Sequence, residues 1–231
     1  MYLLRKEIEF PSTAEALADG LLALGGDLSP ARLLKAYSLG IFPWYSDSSP
    51  ILWWAPNPRG VIFPHEFKLS KRLKRYLSNS DFSLKLDCEF EAVLQACAKV
   101  KRAGQAGTWI SPEMIKAYLK LYELGYGHSL EVYSAGKLVG GLYGVAQGGV
   151  FFAESMYHTR DFASSYALAA LVAIAKKYQL GLIDCQFLTP HLARFKARNI
   201  PRNEFNQYLN RAPDLTGNWH KQNFTKNLKI Y

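Results

Sequence analysis

The chain has 231 residues, 49% hydrophobic and 14% aromatic, which suits one large or two modest domains with a substantial core. Its formal net charge of +9 indicates a polyanionic partner, nucleic acid before membrane, with a merely basic soluble protein as the alternative. The three cysteines form no CxxC pair, which favours reduced thiols over disulfides or zinc. The chain opens without a signal-peptide pattern and has no apolar run long enough to cross a bilayer, so we expect a cytoplasmic protein.

The N-terminal part contains two predicted helices and one irregular segment. A capping box predicts a helix over 12–20, and a Ser-Pro start followed by a terminal glycine predicts another over 29–40. The segment 41–60 holds four prolines and three tryptophans without helical periodicity, so we predict irregular structure there. We place a domain boundary at its end, which divides the chain into a small N-terminal domain, 1–60, and a larger domain, 61–231.

A basic segment follows the boundary. If residues 68–77 are helical, four cations recur at helical spacing on one face, with no acidic residue one turn away to neutralise them: Lys68, Lys71, Arg72 and Arg75. Such an all-positive face predicts contact with nucleic-acid phosphates, and the alternative is a merely solvated charged face.

The remaining elements alternate between helices and strands. In order we predict a helix over 89–98 capped by Asp87, a helix over 111–125, a strand over 129–133, a two-stranded hairpin over 138–157, a helix over 163–178 capped by Asp161, a strand over 181–186, and helices over 189–198 and 201–209. Three consecutive strands followed by a helix that crosses to a further strand predict an α+β fold with a mixed, mostly antiparallel sheet.

The central hairpin, 138–157, carries the most unusual residues. Its first strand contains Gly140, Gly141 and Gly144, and glycine inside a strand marks a bulge or a close approach of a ligand to the backbone. Its second strand has a single charge, Glu154, among aromatic side chains. This carboxylate is a candidate for recognising a cation, and the alternative is a glutamate on the solvent face of the sheet.

The order of elements from residue 129 onward resembles the second half of a GNAT-type acyltransferase. In that fold a glycine-containing turn before the main helix holds the pyrophosphate of acetyl-CoA. The corresponding loop here, 157–165, has no glycine, so backbone amides cannot approach a diphosphate as closely. We therefore expect an acyl donor other than a CoA thioester.

Six motifs in one order carry a more specific resemblance: GLLALGGDLSPARLLKAYSLGIFPW (20–44), PILWWAPNPRGVIF (50–63), GTWI (107–110), HSLEVY (128–133), LVGGLYGVAQGGVFFAESMY (138–157) and LIDCQ (182–186). Over about residues 20–209 the chain resembles the bacterial leucyl/phenylalanyl-tRNA–protein transferases. The resemblance implies a small N-terminal domain and a GNAT-like C-terminal domain. It also implies transfer of Leu, Phe and, less well, Met from aminoacyl-tRNA to an N-terminal Arg or Lys, which marks the acceptor protein for degradation.

The same resemblance assigns two binding regions. Trp44 and Trp109 are implied to contact the terminal adenosine of the tRNA, where stacking of a base on indole contributes about 1–3 kcal/mol. The side chain of the transferred amino acid is implied to enter an apolar pocket formed by Leu142, Phe151, Ser164, Leu168 and Ile183.

An aminoacyl ester is already activated, so no metal, cofactor or covalent nucleophile is expected. Glu154, the only acid of the hairpin, is expected to bind the acceptor's cationic side chain as part of the catalytic set. Asp184 and Gln186 alternate along the strand 181–186 and should share one face. Gln186 can accept a proton from the attacking amine while Asp184 orients it. In an equally compatible mechanism the terminal 2′-hydroxyl of the tRNA moves the proton, and both residues only position the substrates.

Two other functions fit parts of the sequence. An N-acetyltransferase using acetyl-CoA would share the fold, but the loop without glycine argues against it. A non-catalytic RNA-binding module would keep the basic face and the tryptophans, but it has no need of Glu154, Asp184 and Gln186. We expect a monomer with aminoacyl-tRNA and an acceptor protein as its partners, and no membrane.

Overall fold

The computed structural model describes residues 2–46, 49–100, 109–210 and the backbone of 222–224. A short 3-10 helix spans Thr13–Glu15, and the α-helices are α1 (Pro30–Ser38), α2 (Lys71–Ser78), α3 (Phe90–Lys99), α4 (Pro112–Glu123), α5 (Ala163–Lys177), α6 (Pro190–Ala193) and α7 (Arg202–Leu209). The strands are β1 (Tyr2–Leu4), β2 (Leu21–Gly25), β3 (Phe42–Pro43), β4 (Leu52–Trp54), β5 (Arg59–Ile62), β6 (Ser83–Leu86), β7 (Gly127–Ser134), β8 (Lys137–Gln147), β9 (Val150–His158), β10 (Leu182–Asp184), β11 (Arg198–Ile200) and β12 (Gln222–Phe224).

The strands of the described ranges form two sheets. A four-stranded sheet has the order β1-β2-β4-β3, and an eight-stranded sheet has the order β11-β5-β10-β9-β8-β7-β6-β12. In the larger sheet β9 and β10 run parallel, and the other pairs found in the described part of the chain are antiparallel. The predicted α+β fold with a mixed, mostly antiparallel sheet is confirmed.

The larger sheet separates two hydrophobic cores. Phe151 and Phe152 are both fully buried, but successive strand residues point to opposite faces, so they lie in different cores. Phe151 packs on the side of α5, which contacts β7, β8 and β9. Phe152 packs on the side of α3, α4 and the smaller sheet, where its ring lies 4.8 Å from that of Tyr37 in α1. Helix α1 and the smaller sheet therefore pack on one face of the larger sheet.

The prediction of irregular structure over 41–60 is wrong at three short strand segments. This segment contributes β3, β4 and the start of β5, and β5 inserts between β10 and β11 of the larger sheet. Trp53 is completely buried, and its indole nitrogen donates to the carbonyl oxygen of Gly25, 2.9 Å away. Packing of such aromatic side chains stabilises short strands despite the prolines around them. The domain boundary at residue 60 stays a prediction.

Two residues predicted as helix caps do not cap their helices. Asp87 does not cap α3, because its carboxylate accepts from the backbone nitrogen of Ser129 (2.7 Å) and contacts the His128 ring nitrogen Nδ1 (2.8 Å). Asp161 does not cap α5 either: the N-cap is Phe162, in a left-handed conformation with φ of 65° and without a side-chain hydrogen bond. For Asp87, tertiary contacts decided a position that the local sequence pattern could not.

Three element boundaries also differ from the prediction. The helix predicted over 12–20 is limited to one 3-10 turn, because β2 begins at Leu21 and pairs with β1 and β4. The strand predicted over 181–186 ends at Asp184. The helix predicted over 189–198 ends at Ala193, and the chain then forms β11 against β5.

Glycine in β8 allows close packing, as its position in a strand predicted. A Cβ at Gly140 would lie 2.6 Å from the Cβ of Ala163, the first residue of α5. No side chain fits in that space, so α5 lies directly on the backbone of the hairpin. At this position the approaching group is a helix and not a ligand.

Candidate active site

A cavity of about 640 Å³ opens where β9 and β10 separate. Pairing between the two strands ends at Phe152 and Asp184, while β9 continues to His158 without its neighbour. Cavities of this size are typical of ligand sites. Its lining combines aromatic side chains, an apolar floor and a few polar groups: Phe42, Pro43, Trp44, Trp109, Leu142, Ala153, Glu154, Ser155, Met156, Leu168, Cys185, Gln186, Phe187, Thr189, His191 and Leu192.

Aromatic rings form one wall of this cavity. Trp44 and Trp109 both line it, as their assignment to the terminal adenosine requires. Trp44 lies between two other rings, with centroid distances of 5.5 Å to Trp54 and 5.6 Å to Phe187. The indole nitrogen of Trp54 donates to the carbonyl oxygen of Trp44 at 2.6 Å and fixes this arrangement. Gly107 and Thr108 of the GTWI motif lie outside the described residues.

The apolar floor contains part of the predicted side-chain pocket. Leu142 and Leu168 line the cavity. Phe151 and Ile183 do not; both are completely buried in the same hydrophobic core behind the lining. Ser164 also lies outside the lining, with its hydroxyl 3.1 Å from Nδ1 of His158. Two apolar residues that the sequence analysis did not single out complete the floor: Met156 and Leu192.

Glu154 reaches the cavity because of a bulge in β9. Tyr143 of β8 pairs with Ser155, but the next residue, Gly144, pairs with Ala153. Glu154 is therefore the extra residue, and a bulge of this kind changes the direction of a side chain. A Cβ at Gly144 would lie only 2.1 Å from a backbone oxygen of β9, so glycine is required opposite the bulge.

Two tyrosines contact the carboxyl group of Glu154, which is half-buried in the wall of the cavity. The Tyr37 hydroxyl lies 2.8 Å from Oε1, and the Tyr118 hydroxyl lies 3.1 Å from Oε2. The two hydroxyl oxygens are 2.6 Å apart. Burial raises the pKa of Glu154 to about 8, against the lowering effect of its hydrogen bonds to the tyrosines. Glu154 is thus not a glutamate on the solvent face of the sheet.

Asp184 lies beside the cavity, and its carboxylate is completely buried. Arg59 donates to it twice, through Nε (2.8 Å) and Nη2 (2.6 Å), and donates through Nη1 to the carbonyl oxygen of Gly40 (3.0 Å). The guanidinium lies between two aromatic rings, 4.7 Å from Phe42 and 4.9 Å from Phe205. The pair joins β5 to the end of β10, directly next to the site.

Gln186 lines the cavity but does not share a strand face with Asp184. Its φ of 59° is left-handed, so the alternation of β10 stops before it. Its backbone nitrogen donates to Oδ1 of Asp184 at 2.9 Å, and its carbonyl oxygen accepts from Gly60 at 3.1 Å. We assign its side-chain nitrogen toward the carbonyl oxygens of Ala153 and Cys185, at 3.2 and 3.1 Å. Asp184 therefore positions the backbone of Gln186, not its side-chain amide.

A second cavity, of about 570 Å³, is basic. It contains three of the four cations of the predicted stripe, and Arg160 joins them from the loop before α5: the lining is Lys71, Arg72, Arg75, Tyr76, Asn79, Ser80 and Arg160. Lys68 lies outside it, because Ser70 caps α2 by accepting from Leu73 at 3.2 Å and the helix begins only at Lys71.

The basic cavity contains cations that are not neutralised by any carboxylate in the described part of the chain. Arg160 is paired with Asp81 at 2.6 Å, but Lys71, Arg72 and Arg75 form no ion pair with any residue that the structure describes. This arrangement suits phosphate groups of a larger partner better than a small enclosed ligand.

Neither a metal site nor a membrane span is found in the described ranges. No three His, Cys, Asp or Glu side chains are grouped there to hold a metal ion. No helix there is long and apolar enough to cross a membrane. The three cysteines are free thiols, as predicted, and burial raises the pKa of Cys185, which lines the active-site cavity.

Sequence reasoning missed Arg59, Tyr37, Tyr118 and Phe187. The first two lie inside the long motifs 50–63 and 20–44, but nothing in those motifs separates a buried polar partner from a surface residue. Tyr118 lies in a regular amphipathic helix and follows its buried stripe, so its pattern is that of a core residue. Contacts across the fold reveal all four.

Comparison with known proteins gives consistent matches. The family model described as leucyl/phenylalanyl-tRNA protein transferase matches residues 61–210, and that of its N-terminal domain matches residues 26–57. A curated leucyl/phenylalanyl-tRNA–protein transferase from Syntrophus aciditrophicus strain SB is 52% identical over 219 residues, 94% of this chain and 92% of the relative. Another, from Anaeromyxobacter sp. strain Fw109-5, is 50% identical over 222 residues, 95% of this chain and 94% of the relative.

Solved structures give weaker matches. A GCN5-related N-acetyltransferase-like protein from Streptococcus suis 89/1591 aligns with a TM-score of 0.35 and 12% identity. The alignment covers 70% of this chain and 59% of that protein.

Proposed function

We propose a reaction for the cleft on the premise that this chain belongs to the leucyl/phenylalanyl-tRNA–protein transferase family. The enzyme transfers an amino acid from aminoacyl-tRNA to the N-terminus of an acceptor protein. In our proposal the amino acid is Leu or Phe and, less well, Met, and the acceptor begins with Arg or Lys. The product then carries an N-terminal residue that marks the protein for degradation.

One observation supports the reaction best: a single cavity contains the groups that each reactant requires. The indoles of Trp44 and Trp109 offer faces on which the terminal adenosine can stack. The floor around Leu142 and Leu168 accepts an apolar side chain. Glu154 offers a carboxyl group to the cationic side chain of the acceptor, and Gln186 lies where its amide oxygen can accept from the attacking amine.

The reaction then depends more on the positioning of the two substrates than on a strong acid or base. The neutral α-amine attacks the ester carbonyl carbon, the tetrahedral centre collapses, and the terminal oxygen of the tRNA leaves with a proton. The direct test is one assay with labelled Leu-tRNA, a peptide that begins with Arg, and this protein. We expect label at the peptide's N-terminus. Turnover of acetyl-CoA in place of the tRNA would support an N-acetyltransferase, which relatives of about half identity do not favour.

Selection of the donor amino acid should be strong but incomplete. Leu, Phe and Met are unbranched at Cβ, whereas the stiff χ1 of Ile and Val directs a methyl group against the mouth of the pocket. A hydrophobic pocket discriminates by about 1–3 kcal/mol, so we expect kcat/KM for Ile-tRNA to be roughly 10- to 200-fold below that for Leu-tRNA. Competition between the two charged tRNAs measures this ratio. Equal use of both would refute the pocket assignment.

The basic cavity should bind tRNA phosphates without reading sequence. Changing Lys71 and Arg72 to Ala should weaken binding of every aminoacyl-tRNA alike, and should flatten the log–log salt dependence by about one unit for each lost phosphate contact. Binding titrations at several salt concentrations measure both quantities. The matched control changes Lys176 and Lys177, exposed at the end of α5, to Ala, and so removes the same charge elsewhere. If both double variants behave alike, net charge and not this cavity binds the tRNA.

Glu154 should serve the acceptor and not the donor. In the Glu154→Gln variant we expect KM for an Arg-starting peptide to rise about 10- to 100-fold, because a hydrogen bond to a charged group contributes about 1.5–3 kcal/mol. The affinity for aminoacyl-tRNA should stay unchanged. Glu113→Gln, an exposed substitution at the start of α4, is the control. An equal loss of tRNA affinity would instead assign Glu154 a structural role.

We also propose that the enzyme acts in the cytoplasm as a monomer. Aminoacyl-tRNA is a substrate shared with translation, and the free state of Cys88, Cys97 and Cys185 suits a reducing compartment. Sedimentation of the purified chain, alone and with tRNA, measures its oligomeric state.

A further inference from the structure

The Glu154 carboxyl group and two tyrosines make three close oxygen–oxygen contacts, one more than the two hydroxyl protons can bridge. Three polar groups lie in a closed triangle, with oxygen–oxygen distances of 2.8 Å from Tyr37 to Glu154, 3.1 Å from Tyr118 to Glu154, and 2.6 Å between the tyrosines. All three distances fall in or close to the range of O–H···O hydrogen bonds. Each such bond requires one proton between its two oxygens.

The two tyrosine hydroxyls supply only two of the three protons. If Glu154 were ionised, both hydroxyls would donate to it, and the tyrosine oxygens would then face each other at 2.6 Å without a proton. Two oxygens at that separation repel each other. If Glu154 is protonated, its own O–H donates to Tyr118, Tyr118 donates to Tyr37, and Tyr37 donates to the second carboxyl oxygen. Every contact is then a hydrogen bond in one direction around the ring.

We propose that Glu154 is a neutral acid in the empty cleft, closed into a ring with Tyr37 and Tyr118, and that a cationic acceptor side chain displaces its proton on binding. This inference rests on the proposed role of Glu154 in the acceptor site. The balance is simple: the Glu154 O–H bond breaks, the proton passes to the buffer, and the carboxylate forms an ion pair with the guanidinium or ammonium group. Tyr37 and Tyr118 are positioning residues that satisfy the acid in its neutral form.

The groups packed around the ring support a neutral acid. The neighbouring strands supply two of these groups. One is Tyr143, whose ring lies edge-on to that of Tyr118 at 5.5 Å, and the other is the Asp184–Arg59 ion pair. Burial is the largest effect on the pKa of Glu154 and raises it to about 8; the Asp184 carboxylate raises it as well, and the Arg59 guanidinium lowers it. Because Arg59 is already paired at 2.6 Å, it cannot neutralise a charge on Glu154 in full.

A neutral acid has a consequence for selectivity. An uncharged acceptor side chain would have to break the ring without offering an ion pair in return, whereas Arg and Lys replace the lost hydrogen bonds by a charge-assisted contact. In the empty cleft, the ring therefore disfavours binding of acceptors that begin with other residues.

Calorimetry can count the displaced proton. The probe is an N-acetylated peptide beginning with Arg, which keeps the guanidinium but has no α-amine that could itself lose a proton. Titrations in buffers of different ionisation enthalpy should show release of about one proton per bound peptide at pH 6.5, and almost none near pH 9.5, where Glu154 is already ionised. The Glu154→Gln variant, whose amide mimics the protonated acid in the ring, should fold normally and release none.

Infrared difference spectra give a second readout that does not depend on counting protons. Adding the peptide to the wild-type protein at pH 6.5 should remove the carbonyl band of a protonated carboxylic acid and add carboxylate bands. Peptide binding without proton release at pH 6.5 would overturn the inference and leave the acceptor site intact. Failure of the peptide to bind at any pH would count against the acceptor site itself. The neutral acid is tested separately, by comparing spectra of the wild-type protein and Glu154→Gln without peptide. If the wild-type spectrum shows no additional band of a protonated acid, Glu154 is not neutral.

Discussion

Replacing Arg59 with methionine should lower the free energy of unfolding by about 3–5 kcal/mol, because it leaves the Asp184 carboxylate buried without its partner. Asp184 is completely buried, and the pair is closed by two hydrogen bonds of 2.8 and 2.6 Å. Methionine keeps apolar contact with the rings of Phe42 and Phe205, so the loss of stability mainly reflects the unpaired charge of Asp184. For a domain of this size we expect Tm to fall by roughly 6–20 °C. Denaturant and thermal unfolding measure both quantities.

Two control variants separate the pair from other effects. Arg198→Gln removes surface contacts of one arginine, with Glu66 at 3.3 Å, Glu204 at 3.8 Å and the Phe63 ring at 4.3 Å, and should cost about 1 kcal/mol. Combining Arg59→Met with Asp184→Leu removes both charges and should recover part of the lost stability, because no unpaired charge is left inside. If Arg59→Met were as stable as Arg198→Gln, the pair would not hold β5 against β10.

The same pair changes what is expected of Asp184→Asn. From the sequence alone, this substitution should lower kcat about 10²–10⁴-fold with folding intact. In the structure the carboxylate accepts from Arg59 and from the backbone of Gln186. We therefore expect Asp184→Asn to reduce stability as well as kcat.

Removing the side chain of Gln186 should reduce kcat by about 10²–10⁴-fold if its amide oxygen accepts the proton of the attacking amine. Gln186 lines the cavity, and its backbone conformation has a φ of 59°. Two variants distinguish the side chain from the turn: Gln186→Ala keeps the strain of a left-handed residue, and Gln186→Gly relieves it. Both should lose the same activity while only the glycine variant gains stability. Single-turnover rates with saturating Leu-tRNA measure the chemical step.

Gln147→Ala is the matched control, because the Gln147 amide donates to the backbone of Leu34 at 3.0 Å and does not line the cavity. Its single-turnover rate should equal that of the wild type. A loss below about tenfold for both Gln186 variants would exclude the side-chain relay and favour the terminal 2′-hydroxyl of the tRNA. A donor without that hydroxyl, carrying a stably 3′-linked amino acid, gives the complementary result: full activity with it would exclude the hydroxyl.

The sequence by itself determined the family, the α+β class and the central hairpin. Each of these rests on local information: strand alternation, a Gly-Gly turn after Gln147, Pro and Ser at helix starts, and long motifs in a fixed order. It also predicted Trp44, Trp109 and Gln186 as site residues; all three line one cavity, and their roles stay predictions. The family resemblance indicated the two tryptophans, and the polar Gln186 in a mostly apolar predicted strand indicated the third.

Only the tertiary structure decided which polar groups meet. Arg59 and Asp184 are 125 residues apart in the chain, and Tyr37 and Glu154 are 117 apart. No local sequence pattern shows that residues so far apart in the chain are in contact. Each buried polar group is stable only with a partner, and here the fold supplies that partner from a distant segment. The same reason explains the bulge that directs Glu154 into the cleft: it arises from the pairing of β8 with β9, and neither strand contains it alone.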